Sequence, residues 1–263
     1  MRLHATDTAD STEMPSGTTP LVILHGLMGS ADNWRSHIKQ WQARQRVVAV
    51  DLRNHGRSPH GRGMSYEAMA NDVLELLASL GLERVNLLGH SMGGKVAMTL
   101  ARLQPGRVAH LVVADIAPVA YEHGHDEVFE AMRRVEAGSP TSRSEANTLM
   151  SEVIESTPTR QFLATNLIKG DDGIMTWRVG LDEIEAGYAD IIAPPGGNET
   201  FDGPSLVIRG GASSYVQDAH REAIEAVLTD VTLETLEGAG HWLHAEQPEA
   251  FRERIDHFLQ SSA

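Results

Sequence analysis

From Pro20 onward, short apolar runs alternate with segments of helical period. The runs have the length of buried strands, and the segments between them are long enough to cross from one strand to the next. The pattern therefore predicts βαβ units and an α/β protein with a mostly parallel central sheet flanked by helices. Predicted strands cover residues 21–24, 47–50, 85–88, 108–115, 206–209 and 232–236. The clearest helix puts Tyr66, Met69, Val73, Leu76, Leu77 and Leu80 on one face, with Ser65 as its N-cap and Gly81 as its stop. Another starts at Pro248, a residue suited to the first helical turn, and runs to about Leu259.

The alternation breaks between residues 119 and 200. Helical stretches at 126–137, 144–155 and 158–167 and a short one near Leu181 follow one another there without a convincing strand. Because the strand pattern resumes at Leu206, the segment reads as a helical lid inserted at the edge of the sheet. Its apolar residues Phe129, Met132, Leu149, Met150, Phe162, Leu163, Met175 and Trp177 either form a small core of their own or pack over the sheet below. The expected organisation is a flexible arm at 1–19, a core at 20–118 and 201–263, and the lid at 119–200.

Charge and composition narrow the function. The chain has 36 Asp and Glu against 22 Lys and Arg, a net of -14, which argues against nucleic acid or an anionic membrane surface as partner. With no cysteine there is no thiolate nucleophile, no disulfide framework and no cysteine-ligated metal. The Thr, Ser and Asp rich first twenty residues hold no apolar signal core, and no later run approaches membrane-spanning length. A cytoplasmic protein without stable membrane insertion is expected, and the sequence specifies no oligomeric state.

The chemistry is carried by Gly89-His90-Ser91-Met92-Gly93. The pentapeptide directly follows the strand at 85–88 and precedes a helical stretch at 95–103, the strand, turn and helix of a nucleophile elbow. Such a turn lifts the Ser91 hydroxyl above the C-terminal edge of the sheet, where open α/β sheets bind ligands. A serine needs a base, and among 13 histidines His241 has the matching setting, in Gly238-Ala239-Gly240-His241-Trp242 just after the last strand. The oxyanion hole is expected from the Met92 amide and, in the turn His25-Gly26-Leu27-Met28-Gly29, the Leu27 amide. His25, Gly26, His90 and Trp242 are candidate pocket residues, with His25 read as structural.

Taken together, His25-Gly26, the run 51–58, the Ser91 elbow and Gly240-His241 followed by Glu246 and Pro248 resemble the α/β-hydrolase fold family. The runs 51–59, 114–118 and 209–213 further resemble small esterases of the YbfF type. That resemblance implies a carboxylesterase or thioesterase needing no cofactor. The family's usual acid position, past the seventh strand, falls here on Ser213, which cannot orient and stabilise an imidazolium. Asp115, at the end of the preceding strand, is the expected replacement, and it resembles the arrangement in some lipases and YbfF-type esterases. Asp51 is the competitor, although with Arg53 it reads as a structural pair bracing a turn, and Asp218 lies too far along the next helix.

The expected function is hydrolysis of short to medium acyl esters through an acyl-enzyme at Ser91. Acyl-CoA thioester cleavage, carbon–carbon bond hydrolysis and cofactor-free haloperoxidase chemistry use the same triad and stay open. A non-catalytic ligand receptor on the same fold is disfavoured by the complete constellation. A metal site at Glu122-His123-Gly124-His125-Asp126 lacks further ligands at a recognised spacing, so no metal is expected. The lid segment holds 15 acidic and 6 basic residues, a net of -9, and such a rim should favour neutral esters over anionic ones such as acyl-CoA.

Overall fold

The computed structural model describes residues 1–9 and 17–261. The main sheet takes strands β1 (Ala5–Asp7), β2 (Leu21–Leu24), β3 (Val47–Val50), β4 (Val85–His90) and β5 (Val108–Ala114). A separate hairpin of β6 (Leu167–Lys169) and β7 (Met175–Trp177) follows, and β8 (Ser205–Gly210) and β9 (Val231–Leu236) then complete the sheet. Its order is β1-β3-β2-β4-β5-β8-β9, parallel throughout except where β1 runs against β3. The helices are α1 (Arg35–Trp41), α2 (Tyr66–Ser79), α3 (Met92–Leu103), α4 (Asp126–Gly138), α5 (Arg143–Ser151) and α6 (Thr157–Ala164). After them come α7 (Leu181–Ala186), α8 (Tyr188–Ile192), α9 (Arg221–Val227), α10 (Leu243–Glu246) and α11 (Pro248–Ser261).

β2, β3 and β4 are buried at every residue, as strands covered on both faces must be. α2 and α3 cover one face through Met69, Val73, Leu77, Val96 and Leu100. The other face carries Trp34, Ile38 and Trp41 around α1 and Phe251, Ile255 and Phe258 from α11. The Ser65 hydroxyl accepts the Ala68 N–H as the N-cap of α2, and Gly81 stops that helix at φ +66°.

Two expectations are revised. The arm at 1–19 is not loose at residues 5–7, because β1 pairs with β3, Asp7 receives two hydrogen bonds from Arg46, and the Met1 ammonium sits 2.6 Å from Asp72. Residues 10–16 of that arm lie outside the described residues. The segment 119–200, expected to hold helices only, contains the β6–β7 hairpin, and α6 ends at Ala164 rather than 167. Leu167, Met175 and Trp177 are buried while Ile168 and Thr176 face outward, a two-residue period in strands of three residues.

This segment does not keep a separate core. Phe129, Met132, Met150, Leu163, Met175 and Trp177 share one apolar cluster with the α2 and α3 face of the sheet. Polar ties add to it, with Asn166 Nδ2 donating to the Met28 carbonyl (2.7 Å) and the Gly180 N–H to the Asn54 carbonyl (2.8 Å). Among the described residues no helix is long and apolar enough to cross a membrane.

Buried imidazoles set the acid limit of this fold. Burial lowers His37 to about 4 and His55 to about 3, and it also pushes His25 and His244 down. As pH falls below about 6.5, the unfolded chain takes up protons on these rings that the folded chain refuses, so stability drops with pH. Urea midpoints are expected to fall steadily from pH 6.5 to 4.5, and less steeply in His37→Phe. A flat profile in the wild type would contradict this assignment.

Candidate active site

The elbow is built by close packing. A Cβ on Gly93 would lie 2.4 Å from the Leu24 carbonyl oxygen, so only glycine lets α3 start this near β2. Ser91 itself takes φ 52°, ψ -121°, a conformation that side chains disfavour, and is held there by its N–H bond to the Ala114 carbonyl (2.9 Å). Its hydroxyl therefore projects from the C-terminal end of β4.

Three chain segments converge on that hydroxyl. His241 Nε2 is 3.0 Å from Ser91 Oγ, and His241 Nδ1 is 2.7 Å from Asp115 Oδ2. Asp115 closes β5, also at positive φ (52°), and is 0% exposed. A buried carboxylate needs donors, and it has them in the Gly210 N–H (3.0 Å, on Oδ1), the Ser213 hydroxyl and His241. A carboxylate at Nδ1 fixes the tautomer that leaves Nε2 free to take a proton from serine.

Neighbouring rings hold His241 in place. The Tyr215 ring stacks on His241 at 3.9 Å and 18°, and the Tyr121 hydroxyl donates to the Tyr215 carbonyl. His90 lies against His241, and its Nε2–H donates to the His241 carbonyl at 2.8 Å. Burial drops His90 to about 3, so its ring is neutral. His25 is buried as well: its Nε2 accepts the Leu52 N–H (3.0 Å), which makes Nδ1 the donor to the Gly26 carbonyl (2.8 Å). His25 thus braces the turn after β2, whose Leu27 N–H and the Met92 N–H have no hydrogen-bond acceptor among the described residues. Two unpaired amides beside a serine are what a developing oxyanion needs.

Two cavities meet at Ser91. One of about 280 Å³ is largely apolar, with Met28, Val128, Phe162, Leu163 and Trp242 in its wall and His25, Gly26 and His90 near its base. The other, about 380 Å³, runs toward α8 between Tyr66, Tyr121, Tyr188 and Tyr215 and includes Met92 and Lys95. Leu27 and Ser91 border both. Phe162 packs against Trp242 at 5.5 Å, so α6 roofs the apolar cavity.

Asp51 lies elsewhere. Its carboxylate accepts the Ala31 N–H (2.7 Å) and Arg57 N–H (2.9 Å) and meets His4 Nδ1 (2.9 Å). The expected Asp51 and Arg53 pair does not form, because Arg53 reaches Asp72 instead, at 2.6 Å. Asp218 binds Arg209 on the surface. In the run 122–126, His123 meets Asp126 and His125 meets the Tyr188 hydroxyl.

The pattern of the α/β hydrolase fold matches residues 19–248. The chain belongs to the α/β hydrolase fold family. A mouse member, named sn-1-specific diacylglycerol lipase ABHD11, is 41% identical over 247 residues, which cover 91% of this chain and 80% of that protein. Esterase YbfF of Escherichia coli (strain K12) is 34% identical over 255 residues, covering 95% and 97%. Among solved α/β hydrolase structures, a marine microorganism esterase superposes with a TM-score of 0.90 at 37% identity, over 98% of this chain and 99% of that one.

Ser213, Tyr215 and Lys95 were not assigned roles from sequence. The first has a readable signal, since it stands where the resemblance led us to expect an acid, and its hydroxyl donates to the Asp115 carboxylate. Changing the two aspartates separately tests the arrangement. Asp115→Asn should lower kcat by about 10³ to 10⁴ with the fold intact. Asp51→Asn should cost about 1–3 kcal/mol of stability while the folded enzyme keeps its turnover. The reverse pattern in ester hydrolysis assays would move the acid to Asp51.

Proposed function

We propose that this ester hydrolase cleaves short to medium acyl carboxylic esters, with Ser91 as nucleophile, His241 as base, Asp115 as acid and the Leu27 and Met92 amides as oxyanion hole. The reading rests above all on the unbroken chain Ser91 Oγ, His241, Asp115 ending beside two unpaired amides. A ligand receptor has no use for that combination. The relatives named esterase and lipase support the same reaction class.

Ser91 Oγ adds to the ester carbonyl while His241 Nε2 takes the hydroxyl proton, and the carbonyl oxygen becomes an oxyanion at the two amides. Collapse expels the alkoxide, which receives the proton from His241 and leaves as the alcohol. Water then gives a proton to His241 and its hydroxide to the acyl group, and collapse of this second intermediate returns the proton from His241 to Ser91 Oγ and releases the acid. Every group in the cycle is protein or substrate, so no cofactor is invoked. Residues 119–200 act in this reading as the lid, since Val128, Phe162 and Leu163 enclose the apolar cavity above Ser91. A cytoplasmic setting accords with the absence of cysteine.

The lid's acidic residues lie almost entirely on its solvent side, and several are paired to Arg133 and Arg134. Their field acts on bulky polyanions at the rim and is screened by salt. Two measurements test the function. An organophosphonate probe is expected to modify Ser91 stoichiometrically, and no labelling would overturn the reading. An acyl-CoA should be cleaved less efficiently than a neutral ester of the same chain, the gap narrowing as salt rises; a salt-insensitive preference for the CoA ester would contradict the rim effect.

A further inference from the structure

Lys95 lies on α3 one turn after Ser91 and is only 1% exposed. Lysine is almost never buried so fully without an ion-pair partner. Among the described residues no Asp or Glu oxygen lies within 4.0 Å of its ammonium. Nζ instead donates to the Ala193 carbonyl at 2.5 Å, with Ile192 at a long 3.4 Å, and lies 4.7 Å from the centre of the Tyr121 ring. The Ile192 carbonyl also accepts the Tyr121 N–H, and the Tyr66 ring centre lies 5.5 Å from Nζ, so backbone oxygens and ring faces surround the ammonium with no anion beside it. A pin onto two carbonyls needs donors but no charge, and a neutral side chain would do it without the cost of burying a cation.

The cavity supplies the reason for the charge. Lys95 borders the same 380 Å³ space as Ser91, Leu27 and Met92, and the carboxylate bordering it, Glu122, is exposed at the mouth. We propose that Lys95 is a binding site for a small anionic group of the substrate, so that preferred esters carry a carboxylate a few atoms from the scissile carbonyl. The proposal rests on Ser91 being the nucleophile. It concerns a single charge inside the cavity, whereas the acidic lid surface acts on polyanions outside it.

Proton linkage gives a distinctive signature. Burial lowers Lys95 to about 7. The phenols of Tyr66, Tyr121, Tyr188 and Tyr215 around it are pushed upward by burial and stay neutral, and His125 is pushed down. Above pH 7 the free enzyme loses the cation, so its preference for an anionic ester should fade by up to tenfold per pH unit.

The test compares mono-p-nitrophenyl adipate with its methyl ester, and a second pair with the free carboxylate on the alcohol portion. The ratio of kcat/KM, anionic over neutral, cancels every effect common to the two esters. At high salt and pH 6.5 this ratio is expected to be at least tenfold higher in the wild type than in Lys95→Met for one of the two pairs. It should decline between pH 6.5 and 8.5 in the wild type and persist in Lys95→Arg. Equal ratios in wild type and Lys95→Met overturn the proposal. If Lys95→Met does not fold, equal ratios in the wild type and Lys95→Gln overturn it in the same way. Turnover of neutral esters with Ser91 labelled by phosphonate, but no anionic preference, sinks this inference and leaves the esterase reading standing; no turnover and no labelling sinks both.

Discussion

Ser91 is held at positive φ between a strand and a helix that approach too closely for side chains, and the site is organised around that strained turn. Strain of this kind costs roughly 1–3 kcal/mol and persists only where the surroundings over-determine it. Here they do so through the Ala114 carbonyl on the Ser91 amide, the packing of Gly93 on β2, and the apolar contacts of α3 with the sheet. The turn points the hydroxyl at the C-terminal edge, leaves the Met92 N–H without a hydrogen-bond acceptor among the described residues, and starts the helix that carries Lys95.

Asp115, the acid of the proposed reaction, follows a related logic. Asp115 also sits at positive φ just past a central strand, and its N–H is fixed by the Ile208 carbonyl. From there one carboxylate oxygen faces the Gly210 amide and the other faces both Ser213 and His241. Neighbouring parallel strands end at one edge, so an acid on β5 can reach a histidine after β9 with β8 in between. The Ser213 hydroxyl is thereby a donor to the Asp115 carboxylate.

Much of this was legible in the sequence, for physical reasons. Continuous apolar runs such as Leu21–Leu24 and Val47–Val50 are β-branched-rich and too short for helices, which suits strands buried on both faces, so the sheet core was readable. The elbow and the Gly240-His241 turn were readable because the backbone approach there restricts residue size. β1 was not, since Ala-Thr-Asp has no apolar signal and is held partly by the charge pair to Arg46. The β6–β7 hairpin is three residues per strand, too short for a period to register. Arg53 was paired with the nearer aspartate in sequence, whereas the fold offers it Asp72 on α2. Lys95 looks like an ordinary helical lysine until its burial is known.

The two cavities and the lid surface separate electrostatic roles by depth. Exposed acidic residues act at long range through solvent, while a buried cation next to the reacting centre acts at short range in a medium that screens it little. Both depend on the central claim that Ser91 becomes acylated. Acid-quenched mixing with a slow p-nitrophenyl ester, followed by peptide mass analysis, measures this directly. The account predicts a burst of p-nitrophenolate equal to the enzyme concentration and an acyl adduct on the Ser91 peptide. Turnover without a burst or adduct, or one that survives in Ser91→Ala, would contradict it.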